Sequence, residues 1–171
     1  MDYKTNVMRI LDKMKIEYIS YCYIDSDAIS GVDVAKFLNQ DERQVFKTLV
    51  TVSKSKKYYV FMVPVACELD LKKAAMSVNE KSIEMIKQKD LLNITGYIHG
   101  GCSPIGMKKS FVTTIDISAK EFDKIIFSAG KIGYQVELKV EDLLRIVDGN
   151  IANVKKWQIL LNIDKLLDCV I

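Results

Sequence analysis

Apolar residues recur at helical spacing near the start of the chain. Val7, Ile10, Leu11 and Met14 fall at i, i+3, i+4 and i+7, which predicts an amphipathic helix over 6–15. Residues 16–24 then alternate loosely and are rich in Tyr and Ile, the pattern of a strand. Ser30 stands where an N-cap belongs, with Val34, Phe37 and Leu38 as the apolar face of a second helix that the polar run 39–42 ends. Two apolar runs, 47–52 and 57–64, flank the polar tetrad Ser53-Lys54-Ser55-Lys56 and read as a hairpin. Helices are expected over 69–75, 82–90 and 140–147, strands over 111–116, 124–127 and 134–138, and a short turn or helix at 119–122. From 150 to 171, Val154, Trp157, Leu160, Leu161, Ile163 and Leu167 recur at mostly helical intervals, which predicts an appended helix.

About seven short strands mixed with about five helices, without a strict βαβ repeat, define a mixed α+β chain. Its sheet is expected to be largely antiparallel, with helices around it. At 171 residues and 49% hydrophobic, the chain suits one domain with a real core and is no disordered tail. The 25 Lys and Arg against 22 Asp and Glu lack the excess of a dedicated electrostatic binder of nucleic acid, and leave only a local basic face open. Cys22, Cys67, Cys102 and Cys169 show neither CxxC spacing nor a nearby histidine pair, so no zinc site and no redox dithiol are indicated. No apolar run reaches the roughly 18 residues of a membrane span. Asp2, Lys4 and Arg9 stand where a signal peptide would be apolar. A cytoplasmic protein with reduced cysteines, no metal and no cofactor is the expectation.

The candidate chemistry centres on 96–109. Gly96, Gly100, Gly101 and Gly106 are half of the chain's eight glycines, and Pro104 is one of its two prolines. Such a stretch is either an ordinary tight turn or a rigid loop whose N–H groups converge on a ligand. His99, the only histidine, flanks it as a conceivable base, but no obvious Ser or Asp partner follows in sequence. Cys102 lies within it as a conceivable nucleophile, a thiol that backbone dipoles could activate. Lys47 is more persuasive. It stands between Phe46 and Thr48-Leu49-Val50, where the pattern enters the core, and an ammonium at a cleft edge can neutralise a phosphate or polarise a carbonyl.

Three segments carry a resemblance. Val45-Phe46-Lys47-Thr48-Leu49, the loop Gly96-Tyr97…Gly100-Gly101-x-Ser103-Pro104-Ile105-Gly106…Lys108-Lys109, and Ser128-Ala129-Gly130-Lys131-x-Gly133…Glu137-Leu138 resemble the YbaK family of Cys-tRNA(Pro) deacylases. That family is related to the editing domain inserted in bacterial prolyl-tRNA synthetases. The resemblance runs from about Lys4 to Ala152, which implies an editing domain over 1–152 and a helical extension over 153–171. It implies catalytic positions at Lys47, Gly100 and Gly101. Substrate-binding positions are implied at Tyr23, Thr48, Ser103, Pro104, Ser128 and Gln135, with Ser103 and Pro104 shaping the loop instead of reacting. Two departures stand out: Gln135 where some members carry aspartate, and Ile132 where arginine is common.

The implied activity is hydrolysis of Cys-tRNA(Pro), with the substrate's own thiol attacking its ester and the enzyme supplying placement. The implied partners are the aminoacyl-tRNA acceptor end and prolyl-tRNA synthetase. An Ala-tRNA(Pro) deacylase using an activated water, or a non-catalytic tRNA- or synthetase-binding module, are the alternatives.

Overall fold

The computed structural model describes residues 3–157. Helix α1 (Asn6–Lys13) starts at Thr5, whose side chain accepts from the Met8 N–H at 3.2 Å, and buries Val7, Met8 and Leu11. Strand β1 is Ile19–Cys22, and helix α2 is Gly31–Phe37. A reciprocal capping box between Ser30 and Asp33 opens α2, as the Ser30 signal anticipates. Strands β2 (Phe46–Ser53) and β3 (Tyr58–Pro64) form the expected hairpin, in register from Phe46 opposite Pro64 to Val52 opposite Tyr58. Strand β4 (Cys67–Leu69), helix α3 (Leu71–Ser77), strand β5 (Ile83–Met85) and helix α4 (Leu91–Thr95) follow. The chain continues with β6 (Val112–Asp116), β7 (Lys124–Ser128), β8 (Tyr134–Lys139), α5 (Val140–Ile146), β9 (Asn150–Ala152) and β10 (Lys155–Trp157).

The fold is mixed α+β. Its ten described strands form a five-stranded sheet ordered β5-β2-β3-β6-β9, a three-stranded sheet β1-β8-β7, and the pair β10-β4. The hairpin and the β2–β5 pair are antiparallel, but β6 runs parallel to both β3 and β9. Central β3 is covered on both sides, which is why its run of apolar residues is unbroken. Tyr59, Phe61 and Val63 face a cluster with Ala74 and Ala75 of α3. Val60 and Met62 face the larger core with Val7 and Leu11 of α1 and Leu143 of α5.

Two expectations change. Residues 82–90 are not one helix: Ile83 pairs opposite Ser53 as an edge strand, a short 3-10 turn spans Gln88–Asp90, and α4 begins at Leu91. Ile83 and Ile86, three residues apart, suit a helical stripe but serve different cores. Ile83 joins the α3 cluster and Ile86 packs against the larger one. Nor does a helix begin at 150, because Asn150–Ala152 extends the sheet beside β6 and Lys155–Trp157 pairs with β4. Asp116 holds this return. Its fully buried carboxylate accepts from the N–H groups of Val154 (2.9 Å), Lys155 (3.0 Å) and Ser118 (3.0 Å), with Lys155 Nζ at 3.7 Å. The remainder of the expected helical extension, 158–171, lies outside the described residues.

The two larger sheets meet just before Lys47. Ile126 of β7 donates its N–H to the Gln44 carbonyl at 3.0 Å, and Val65 donates to the Val45 carbonyl at 2.8 Å. The mouth of the hairpin is thereby bonded to the edge of the three-stranded sheet.

Candidate functional site

A cleft of about 260 Å³ opens at this junction. Its floor is the start of β2, with Phe46, Lys47 and Thr48; Ser30, Gly31 and Val34 of the α2 entry form one wall, and Ser128 and Gln135 of β7 and β8 form another. His99, Gly100 and Cys102 of the glycine loop close the remaining side. The α2 wall stands close because its first residue has no side chain: a Cβ at Gly31 would lie 2.6 Å from Val65 Cγ1.

Tyr23, Lys47, Thr48, Gly100, Ser128 and Gln135 therefore share one cavity, although the chain separates them widely. Gln135 sits in the middle of its sheet, opposite Tyr21 on one side and Ser128 on the other, and the Tyr23 N–H donates to the Gly133 carbonyl at 2.8 Å. Gly101 takes a different place. It is packed behind the cleft wall, where a Cβ would come within 3.1 Å of the Ile132 nitrogen and 3.4 Å of the Lys131 backbone. Its lack of a side chain lets the glycine loop dock on the 128–134 turn.

Ser103 and Pro104 are not among the residues that line the cleft. Ser103 is fully buried and its Oγ accepts from the Ile105 N–H at 3.4 Å, while Pro104 faces a separate cavity with Phe111 and Ile146. The chain has turned away by then: the buried Tyr97 hydroxyl donates to the Ile105 carbonyl at 2.5 Å and draws the second half of the loop into the core.

Lys47 is half-buried, and its Nζ donates a long 3.4 Å hydrogen bond to the Val65 carbonyl. An ammonium has three donors, so capacity for a ligand remains. Desolvation holds its pKa below the ordinary lysine range, while Glu68 and Cys67 act in the opposite direction. Two polar atoms on residues that line the cleft, Thr48 Oγ1 and Gln135 Oε1, are buried with no hydrogen-bond partner among the described residues. Left unpaired, such atoms cost free energy, and a small rotation of either side chain toward the cleft would give them a polar partner there.

The two conceivable reactive side chains differ. His99 is exposed at the rim. Burial pushes the Cys102 thiol up to about 12, so it is protonated near neutrality and a poor nucleophile. Among the described residues, no three His, Cys, Asp or Glu side chains converge to hold a metal ion, and no helix is long and apolar enough to cross a membrane.

The apolar wall contributed by Ile29, Val34, Val65 and Leu91 was absent from the sequence reading. The Ser30 cap located the start of α2, but no local signal says that this start faces β2.

Comparison with known proteins places the chain in a family. Residues 26–146 match the family described as the aminoacyl-tRNA editing domain. A relative from Enterococcus faecalis, provisionally named Cys-tRNA(Pro)/Cys-tRNA(Cys) deacylase EbsC, is 44% identical over 152 residues, covering 88% of this chain and 93% of the relative. The chain belongs to the aminoacyl-tRNA editing domain family. Two solved structures share its fold at low identity. The protein APE2540 superposes with a TM-score of 0.81 at 16% identity, over 89% of this chain and all (100%) of that one. A protein provisionally described as a trans-editing enzyme for prolyl tRNA synthetase gives 0.75 at 17% identity, over 91% and 99%.

Proposed function

We propose that this protein is a trans-editing hydrolase that deacylates mischarged Cys-tRNA(Pro), with the cysteinyl thiol as the attacking group. The observation that carries the reading is the shared cavity: Lys47, Thr48, Gly100, Ser128 and Gln135, far apart in the chain, line one small cleft. That set binds and orients, and it includes no activated nucleophile, since the Cys102 thiol stays protonated. A substrate that carries its own nucleophile removes the need for one. Family membership and the name of the 44% identical relative support the same substrate class.

In this reading the cysteinyl sulfur attacks its own carbonyl carbon. The C–O bond to the terminal ribose breaks, the ribose oxygen takes a proton, and the four-membered thiolactone so formed is opened by water to free cysteine. The protein's part is placement, and holding sulfur and carbonyl in attack geometry lowers the barrier by roughly 7–11 kcal/mol. Lys47 steadies the ester end or the neighbouring phosphate, Gly100 leaves room for the aminoacyl group against its backbone, and the Gln135 carboxamide, its oxygen turned toward the cleft, accepts from the substrate's α-ammonium. The small cleft takes the acceptor end alone. Selectivity for the tRNA body comes in this reading from prolyl-tRNA synthetase as partner, in the cytoplasm.

The test is deacylation of Cys-, Ala- and Ser-tRNA(Pro) side by side, with Lys47→Ala as control. Rapid turnover of the cysteinyl substrate alone is expected, lost in the variant. Serine is nearly isosteric but a far weaker nucleophile, so comparable rates on Ser-tRNA would refute the thiol's role. Preference for Ala-tRNA would assign an activated-water mechanism instead, and binding without any turnover would assign a non-catalytic module.

A further inference from the structure

The turn between β7 and β8 has two sides, of which the cleft uses one. Ser128 and Gln135 face the cleft, whereas Lys131 and Tyr134 join Tyr3, from the segment before α1, in a surface cluster. The Tyr3 and Tyr134 rings lie 5.0 Å apart between centroids, inclined by 32°. Lys131 Nζ sits 4.2 Å from the Tyr3 ring centroid, 2.8 Å from its hydroxyl and 6.0 Å from the Tyr134 centroid. Tyr3 keeps 51% of its surface exposed, so the aromatic pair and the cation beside it are reachable from solvent.

A surface cation–π contact by itself contributes only about 0.5–1 kcal/mol and needs no ligand. Position gives this one more meaning. The Lys131 backbone is the surface against which Gly101 packs, and Ile132 covers Gly100, so the cluster begins one residue from the cleft wall. A substrate whose terminal adenosine ester enters the cleft and whose chain leaves past this wall brings its preceding nucleotides onto the cluster. Those nucleotides are single-stranded, each with a π-face and a phosphate, the two features that an aromatic ring next to an ammonium recognises.

We propose that Tyr3, Tyr134 and Lys131 form a stacking platform for the single-stranded RNA just before the terminal adenosine, the base lying on Tyr3 and a phosphate meeting Lys131. This rests on the reading that the cleft takes the 3′ end of a charged tRNA. The platform makes recognition of the acceptor end depend on more than its last nucleoside.

The experiment uses the full chain and two minimal substrates, cysteinyl-adenosine and cysteinyl-CCA, together with binding of a fluorescent uncharged ACCA oligonucleotide. Wild-type protein is expected to show a lower KM for cysteinyl-CCA than for cysteinyl-adenosine. Tyr3→Ala should raise the KM for cysteinyl-CCA and weaken ACCA binding by about tenfold, the scale of one lost base stack, with kcat and cysteinyl-adenosine turnover unchanged. Tyr3→Phe should retain the stack. Lys131→Gln should reduce the salt dependence of ACCA binding by about one phosphate contact. Equal KM values for the two substrates in the wild type, or ACCA binding unaffected by both Tyr3→Ala and Lys131→Gln, would overturn the platform while leaving the deacylase reading intact. ACCA binding that weakens in Tyr3→Ala, with no turnover of either ester, would uphold the platform and refute the deacylase.

Discussion

Replacing Lys47 by methionine separates what this residue does for the fold from what it does for the ligand. Methionine keeps the aliphatic stem of the side chain and removes the ammonium. The structural loss is small, because among the described residues the hydrogen bond that Nζ makes is the 3.4 Å one to the Val65 carbonyl, at the long limit for such contacts and worth less than about 1 kcal/mol. Against it stands the relief of a half-desolvated charge, on the order of 1–2 kcal/mol. The net expectation is a gain of about 1 kcal/mol, or a rise in Tm of roughly 2–4 °C for a chain of this size.

The pH dependence carries the sign. Burial lowers the Lys47 pKa in the folded state. Between that lowered value and the ordinary value of about 10.4, the unfolded chain holds a proton that the folded chain has shed. Wild-type stability therefore gains across this window as pH rises, and the advantage of Lys47→Met shrinks there. Activity should move the other way, with kcat/KM for Cys-tRNA falling by about 10²–10³-fold, the usual loss for one preorganised electrostatic group. Thermal denaturation between pH 7 and 10 and a deacylation assay measure both. A variant less stable than wild type at pH 7, or one that retains activity within about threefold, would refute the assignment of Lys47 as a ligand-facing ammonium.

Asp116 offers a second pH test. Burial pushes its carboxyl up, but the Ser118 hydroxyl and the N–H donors of Val154, Ser118 and Lys155 outweigh this and hold it below the usual carboxylate range. Its contribution is present above the unfolded carboxylate value and is lost as pH falls through the lowered folded one, so Asp116→Asn should remove this part of the acid unfolding profile. At pH 7 the same variant should cost about 3 kcal/mol, or roughly 6–12 °C in Tm, by calorimetry. The two loop glycines should respond differently to alanine. Gly100 has φ of +82°, so Gly100→Ala should cost about 1–2 kcal/mol of backbone strain and a measurable drop in Tm. Gly101→Ala instead presses a Cβ on the Lys131–Ile132 backbone, and should appear as a roughly tenfold or greater loss of kcat/KM through a displaced cleft wall.

The parts of the fold that could be read from sequence are those specified by neighbours in the chain. The hairpin is one: apolar runs on both sides of Ser53–Lys56 leave little alternative to a reversal. The capping box at Ser30 is another. Lys47 stood out because a charge embedded in an apolar strand is legible without any tertiary information. What remained hidden depends on docking. The spacing of Ile83 and Ile86 fits a helix as well as it fits an edge strand shared by two cores, and only the position of Ser53 beside it decides. Val154 likewise looks like a helical stripe residue until Asp116, far back in the chain, receives its N–H. Ser103 and Pro104 lie within the glycine loop, yet the Tyr97 hydroxyl turns that part of the loop inward.

The contact between Gly31 and Val65 constrains which sequences can build this cleft. With Val65 Cγ1 only 2.6 Å from where a Cβ would stand, Gly31 can gain a side chain in place only if position 65 loses bulk. A homologue bearing alanine in place of Gly31 should carry a residue smaller than valine opposite it, or accept a helix entry shifted outward and a correspondingly roomier chamber. Amino-acid discrimination in such homologues could then drift through residues that never touch the substrate.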